Sequence, residues 1–110
     1  MIRRGDIVVV SLAGDYGKPR PAIIIQSDRL NELEPDSFIV APLTTVLSAQ
    51  PRIRIPVTPT PGNGLAATSE IMTDKLTAVA RRRIGPVVGR LEAVTLTRLE
   101  QEMLLVLGFA

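Results

Sequence analysis

Two aliphatic runs, Ile7 to Leu12 and Ala22 to Gln26, stand on either side of a short loop rich in Gly and Pro, and this arrangement constrains the fold most. The first run is bounded by Gly5-Asp6 and Gly14-Asp15, as expected of a buried strand that ends in a turn. A connection this short does not allow a crossover, so the two runs are expected to pair as antiparallel neighbours. The loop closes with Gly17-Lys18-Pro19-Arg20-Pro21, which delivers Arg20 between two prolines at the mouth of the second strand. Proline on each side confines the backbone to extended shapes. The guanidinium is therefore held at little further entropic cost, as a phosphate clamp demands.

Further strands are expected along the chain. Ser37 to Leu43 forms the third, with Pro42 marking its end or an edge, after a polar, turn-like stretch from Asn31 to Asp36. Arg52 to Val57 alternates basic and apolar residues, giving one core face and one charged face. A dense turn, Thr58 to Gly64, leads to strands over Ser69 to Thr73 and Leu76 to Val79. Val87 to Leu91 follows the Gly85-Pro86 turn as the last strand. The period then changes: Leu96, Leu99, Met103, Val106 and Leu107 share one helical face, with Glu92 or Thr95 placed to cap the start and Gly108 to stop the helix. The expected result is a single domain over residues 1–110, mainly β, with a strongly bent antiparallel sheet closed by one C-terminal helix.

Composition narrows the chemistry. Apolar residues make up 45% and aromatics only 3%, so the core is built from Ile, Val and Leu. The chain has no Cys and no His, which excludes disulfides, thiolate nucleophiles, most zinc sites and every imidazole acid-base scheme. Thirteen basic against eleven acidic residues give a net charge of +2, weak evidence for a nucleic-acid partner. The local cluster Arg81-Arg82-Arg83 says more than the total. The N-terminus lacks a long apolar segment and no apolar run approaches bilayer length, so a soluble cytoplasmic protein is expected.

The ordered segments Gly5-Asp6-Ile7-Val8, Arg20-Pro21-Ala22-Ile23-Ile24, Ala41-Pro42-Leu43-Thr44, Asp74-Lys75-Leu76, Arg83-Ile84-Gly85, Gly89-Arg90-Leu91 and Leu104-Leu105-Val106-Leu107-Gly108 resemble the MazF/PemK family of toxin endoribonucleases. Their order and spacing over nearly the whole chain carry the resemblance; no one segment is specific. It implies an SH3-like small β-barrel with a C-terminal helix, a homodimer, and metal-independent cleavage of single-stranded RNA without a cofactor. A cognate antitoxin would hold the activity in check, and operator DNA would be met only through that antitoxin. By position, the family's catalytic arginine falls on Arg20 and its catalytic threonine on Thr44, with Thr45 adjacent.

Such cleavage uses the RNA's own 2'-hydroxyl, so the protein must stabilise charge on the phosphoryl oxygens and manage two proton transfers. Arg20 suits the first task, since its planar fork stays charged and matches phosphate geometry. Thr44 adds a hydrogen-bond donor. Asp15 is a candidate base or orienting group. Tyr16, Lys18, Pro19, Thr45 and Arg81 are candidate RNA contacts: Lys18 as a phosphate charge, Tyr16 as a stacking ring, Arg81 within the basic triplet. Arg52 and Arg54 would serve RNA or an acidic antitoxin segment equally well.

Plainer readings stand beside these. Arg20 also reads as a surface arginine in a hairpin loop, Thr44 as a turn-capping hydroxyl, and the triplet as a solvated turn. The sequence departs from many family members in two places: Met72 stands in Ile71-Met72-Thr73 where an arginine is common, and Lys18-Pro19 where a histidine is common. Two other functions remain open on the same fold, a non-enzymatic poison of DNA gyrase and an inactive antitoxin-binding co-repressor.

Overall fold

The computed structural model describes residues 1–14, 18–48 and 53–110. It contains strands β1 (Asp6–Ser11), β2 (Pro19–Ile24), β3 (Ser37–Thr44), β4 (Arg54–Val57), β5 (Ser69–Met72), β6 (Thr77–Ala80) and β7 (Ile84–Arg90), with helices α1 (Asp28–Asn31) and α2 (Ala93–Val106). The antiparallel order is β4-β5-β3-β2-β1-β7, and β6 also pairs with β3. No ladder among the described residues joins β4 to β7, so the bent sheet approaches a barrel without closing.

Strand β3 is the spine. Ser37 to Val40 pair with β6, and Leu43 and Thr44 pair with β5, so β5 and β6 lie end to end along the edge away from β2. Ala41 and Pro42 fall in the gap between them. The 3-10 turn Thr73–Lys75 bridges that gap.

Alternation of side chains along the strands produces two cores, one on each face. Ile7, Ile23, Ala41, Leu43, Ile55 and Ile71 pack with Leu99 of α2, while Val8, Val10, Ala22, Ile24, Phe38, Val40 and Val79 fill the other face. This accounts for the unbroken aliphatic character of β1 and β2, which are buried on both sides. Leu96 and Met103 pack against the first core as the helical period requires. Val106 and Leu107 do not, and are 38% and 56% exposed; Leu107 instead borders an open hollow beside Ile39 and Leu76. The helix ends with Gly108 at φ 82°, where the Gly108 and Phe109 amides donate to the Leu105 and Leu104 carbonyls, a Schellman closure. Glu92 occupies the N-cap position, but its side chain makes no capping bond.

Beyond shifts of a residue or two at other strand ends, three differences from expectation have a cause in the fold. Strand β2 begins at Pro19, because the hairpin ladder extends to Ser11–Pro19 and Val10–Arg20. Strand β7 begins at Ile84, before Gly85-Pro86, since irregularities in its register with β1 absorb both residues. Helix α1 is a single turn capped by Ser27, whose hydroxyl accepts from the Arg29 amide, and a turn that short leaves no periodic pattern to read.

Candidate functional site

Strand β2 lies between β1 and β3, and its ladder to β3 runs from Ile24–Val40 to Ala22–Pro42. Pro21 and Pro42 carry no N–H to extend it. Arg20 and Thr44 each stand two residues beyond that last pair, on facing strands that part there. The half-buried Arg20 is tethered across the opening, its Nη1 donating to the Leu43 carbonyl at 3.4 Å. Arg20 is thus a strand residue rather than a loop arginine.

A cavity of about 310 Å³ occupies the opening and is lined by Lys18, Pro19, Arg20, Thr44, Thr45 and Ser69. Thr44 Oγ1 accepts a hydrogen bond from the Val46 amide at 3.1 Å. That bond caps the turn, as the plainer reading has it, and it also fixes the oxygen while leaving the hydroxyl proton to be donated. Opposite Thr44 in the β3–β5 register stands Glu70, 7% exposed, whose Oε1 accepts from the Ser48 amide at 2.9 Å. Glu70 therefore holds the chain that leaves Thr44 and Thr45. Sequence reasoning passed over it; the signal was an acid inside the otherwise strand-like Ser69-Glu70-Ile71-Met72.

Arg20 also lines a second cavity of about 680 Å³, together with Lys75, Arg82, Arg83, Pro42 and Met72. Arg81 is not among its lining residues. Its Nη1 donates to the Glu34 carbonyl at 3.2 Å and its amide to the Asp36 carbonyl at 2.7 Å. Most other described arginines with side-chain bonds serve the fold: Arg4 pairs with Glu100, Arg54 with Asp74 and Arg90 with Asp6. Burial tends to raise the pKa of Asp74, but hydrogen bonds from Arg54 and from its own backbone, with the charges of Arg54 and Lys75, outweigh burial and leave it below the usual carboxylate range. Asp15, Tyr16 and Arg52 lie outside the described residues.

A third cavity, about 770 Å³, lies on the far side of β6 and is lined by Leu30, Ile39, Leu76, Leu104, Leu107 and Phe109 among others. Phe109 is 78% exposed there. No helix among the described residues is long and apolar enough to cross a membrane.

Residues 3–107 match the family described as PemK-like, MazF-like toxin of type II toxin-antitoxin system. The chain is 42% identical over 110 residues to "Probable endoribonuclease MazF" of Mycolicibacterium smegmatis, covering 99% of both. Its fold is similar to that of an endoribonuclease in complex with its cognate antitoxin from a mycobacterial species, with TM-score 0.80, 17% identity, and 100% of this chain and 98% of the other covered. MazF from Deinococcus radiodurans gives TM-score 0.79 at 17% identity, over 97% of this chain and 96% of the other.

Proposed function

The chain belongs to the PemK-like, MazF-like family, as an endoribonuclease toxin of a type II toxin-antitoxin system, and on that premise we propose that Arg20 and Thr44 cut single-stranded RNA. The observation that carries this reading is the meeting of both residues, with Lys18, in one small cavity where β2 and β3 part. The 2'-oxygen of the substrate attacks the neighbouring phosphorus, a 2'-O–P bond forms, and the bond to the 5'-oxygen breaks. A 2',3'-cyclic phosphate and a 5'-hydroxyl result, with no metal or cofactor required.

In this scheme the tethered Arg20 presents its guanidinium fork to the nonbridging oxygens, where negative charge grows in the transition state. The Thr44 hydroxyl supplies a further donor. Lys18, Pro19 and Thr45 border the substrate, and Tyr16 stacks on a base. One proton leaves the 2'-hydroxyl and one reaches the departing 5'-oxygen. Asp15 takes the first; Asp15→Asn that cleaves at the parental rate removes it from the scheme.

The same groove suits an antitoxin. A flexible segment with acidic and apolar residues would fold onto the cations and cover Arg20, so that inhibition is competitive. The solved relative bound to its cognate antitoxin supports such a partner. A homodimer would bury the apolar face around Leu104, Leu107 and Phe109, which a soluble monomer rarely leaves open. The site of action is the cytoplasm. The gyrase-poison and inactive-binder alternatives gain nothing from the family match.

The test is incubation of the purified protein with a long unstructured RNA in the presence of chelator, followed by mapping of the cut ends. Specific cuts with cyclic phosphate termini, abolished in Arg20→Ala, are expected. Intact RNA, or cuts that persist undiminished in Arg20→Ala, refutes the assignment.

A further inference from the structure

A buried acid beside a cavity suited to phosphate demands a reason. Glu70 is 7% exposed in β5, directly across from Thr44 in the ladder that joins β5 to β3. Paired side chains in such a ladder share one face, with Cβ atoms about 4.5–5.5 Å apart. The neighbouring pair, Leu43 and Ile71, turns to the other face and enters the core. Desolvating a carboxylate costs free energy unless donors meet it, and its charge also opposes the approach of RNA phosphates. Glu70 Oε1 meets one such donor, the Ser48 amide, at 2.9 Å. The side chain thus reaches past Thr44 to the chain downstream of it.

That downstream chain needs an external hold. Thr45 to Ser48 are all exposed, with Val46 at 76% and Leu47 at 57%, so apolar burial does not fix the segment. Hydrogen bonds do. The β5 ladder secures Thr44 at one end, Glu70 secures Ser48 at the other, and between them the Val46 amide donates to Thr44 Oγ1 at 3.1 Å. Thr44, Thr45 and Val46 all line the cavity of about 310 Å³ that Arg20 also lines. We infer that Glu70 is a positioning residue for RNA cleavage: its carboxylate latches Ser48, keeps the Val46 amide aimed at Thr44 Oγ1, and so holds the Thr44 hydroxyl where the scissile phosphate meets it. The inference rests on the endoribonuclease reading and adds to it a residue that acts through Thr44 without touching the reacting atoms. A misplacement of about 1 Å at a reacting group costs on the order of a hundredfold in rate, so a slack loop weakens catalysis even where the fold survives.

The test compares Glu70→Gln, which keeps an acceptor oxygen at the same length, with Glu70→Met, which keeps the shape without one. Each is made alone and together with Thr44→Val. For every variant kcat and KM are measured on the long unstructured RNA, beside a thermal melt and hydrogen exchange at the Ser48 amide. Glu70→Met should lower kcat on the order of tenfold to a hundredfold. KM should change far less, because Lys18 and Arg20 are untouched. Glu70→Gln should retain most of the activity, since a neutral acceptor still closes the latch with a bond roughly half as strong as the charged one. In the Thr44→Val background Glu70→Met should cost little more, because the hydroxyl it positions is already gone. The Ser48 amide should exchange slowly in the parent and in Glu70→Gln, and freely in Glu70→Met.

An acid that served the fold alone would lower Tm and add its full effect on kcat to that of Thr44→Val. Full additivity therefore overturns the inference, as do a parental rate in folded Glu70→Met and equal losses in Glu70→Gln and Glu70→Met. A parent whose Ser48 amide exchanges as freely as an open loop also overturns it, and that measurement needs no variant to fold. Failure of the parent itself to cut RNA would instead overturn the underlying nuclease reading, while the protection of Ser48 is still read, so the two outcomes are distinguishable.

Discussion

Arg20→Lys separates charge from geometry at the clamp. Lysine keeps the positive charge but gathers its three donors on one ammonium nitrogen, which does not reproduce the spacing by which a planar fork grips phosphoryl oxygens while bonding the Leu43 carbonyl. Losing one donor aimed at transition-state charge costs on the order of a hundredfold to a thousandfold in kcat, or about 2.7–4 kcal/mol. Losing the bond to Leu43 should cost the fold much less. The bond to Leu43 is long at 3.4 Å and partly buried, and a net hydrogen bond contributes about 0.5–1.5 kcal/mol. The entropy of unfolding is about 2.1 cal/mol/K per residue, so a chain of 110 residues gains about 0.23 kcal/mol/K, and that loss lowers Tm by about 2–6 °C. Single-turnover cleavage of RNA, read with a thermal melt and the salt slope of binding, checks all three quantities. The slope should stay at the parental value because the charge is kept. Cleavage by Arg20→Lys within threefold of the parent refutes the need for a fork, and a Tm drop several times larger than this range makes Arg20 a structural residue.

Other perturbations reach different parts of the molecule. Thr44→Val keeps the shape and removes the donor, so kcat should fall on the order of a hundredfold, while Thr44→Ser retains most activity; equal rates for both exclude the hydroxyl. Leu99 is fully buried where α2 meets the sheet, and Leu99→Ala should cost about 2–5 kcal/mol, read as a shift in the urea midpoint. Asp28 accepts from the Arg4 amide and from Asn31, and these hydrogen bonds lower its pKa. Its contribution is therefore present above the ordinary carboxylate pKa and vanishes as pH falls through the lowered folded value. Asp28→Asn should be the less stable protein at neutral pH and indistinguishable from the parent in strong acid, which paired denaturant titrations measure.

The buried strands were legible because β1 and β2 are apolar on both faces, and α2 because Leu96, Leu99 and Met103 repeat at helical spacing. What escaped was set by partners distant in sequence. Nothing local distinguishes Gly85-Pro86 as strand from Gly85-Pro86 as turn; the irregular register with β1 decides it. The arginine triplet shows the same limit at the site. Arg81–Arg83 form one 3-10 turn, whose three residues per turn send successive side chains about 120° apart. The turn commits Arg81 to the Glu34 carbonyl and leaves Arg82 and Arg83 at the cavity, a division invisible in a run of identical letters. Arg20 was singled out by the prolines on either side of it and Thr44 by the family resemblance, and the fold brings the two to one cavity. Glu70 was not, since its role depends on the Ser48 amide, which only the folded loop brings to it.

Strands β5 and β6 follow one another along the same rail, and the turn joining them hangs above Pro42, which has no N–H to offer there. The length of that turn is consequently uncoupled from sheet register. A residue inserted after Asp74 would reshape the wall carrying Lys75 while β5 and β6 keep their pairing with β3. Relatives could thus diverge in the transcripts they cut while keeping the cutting apparatus untouched.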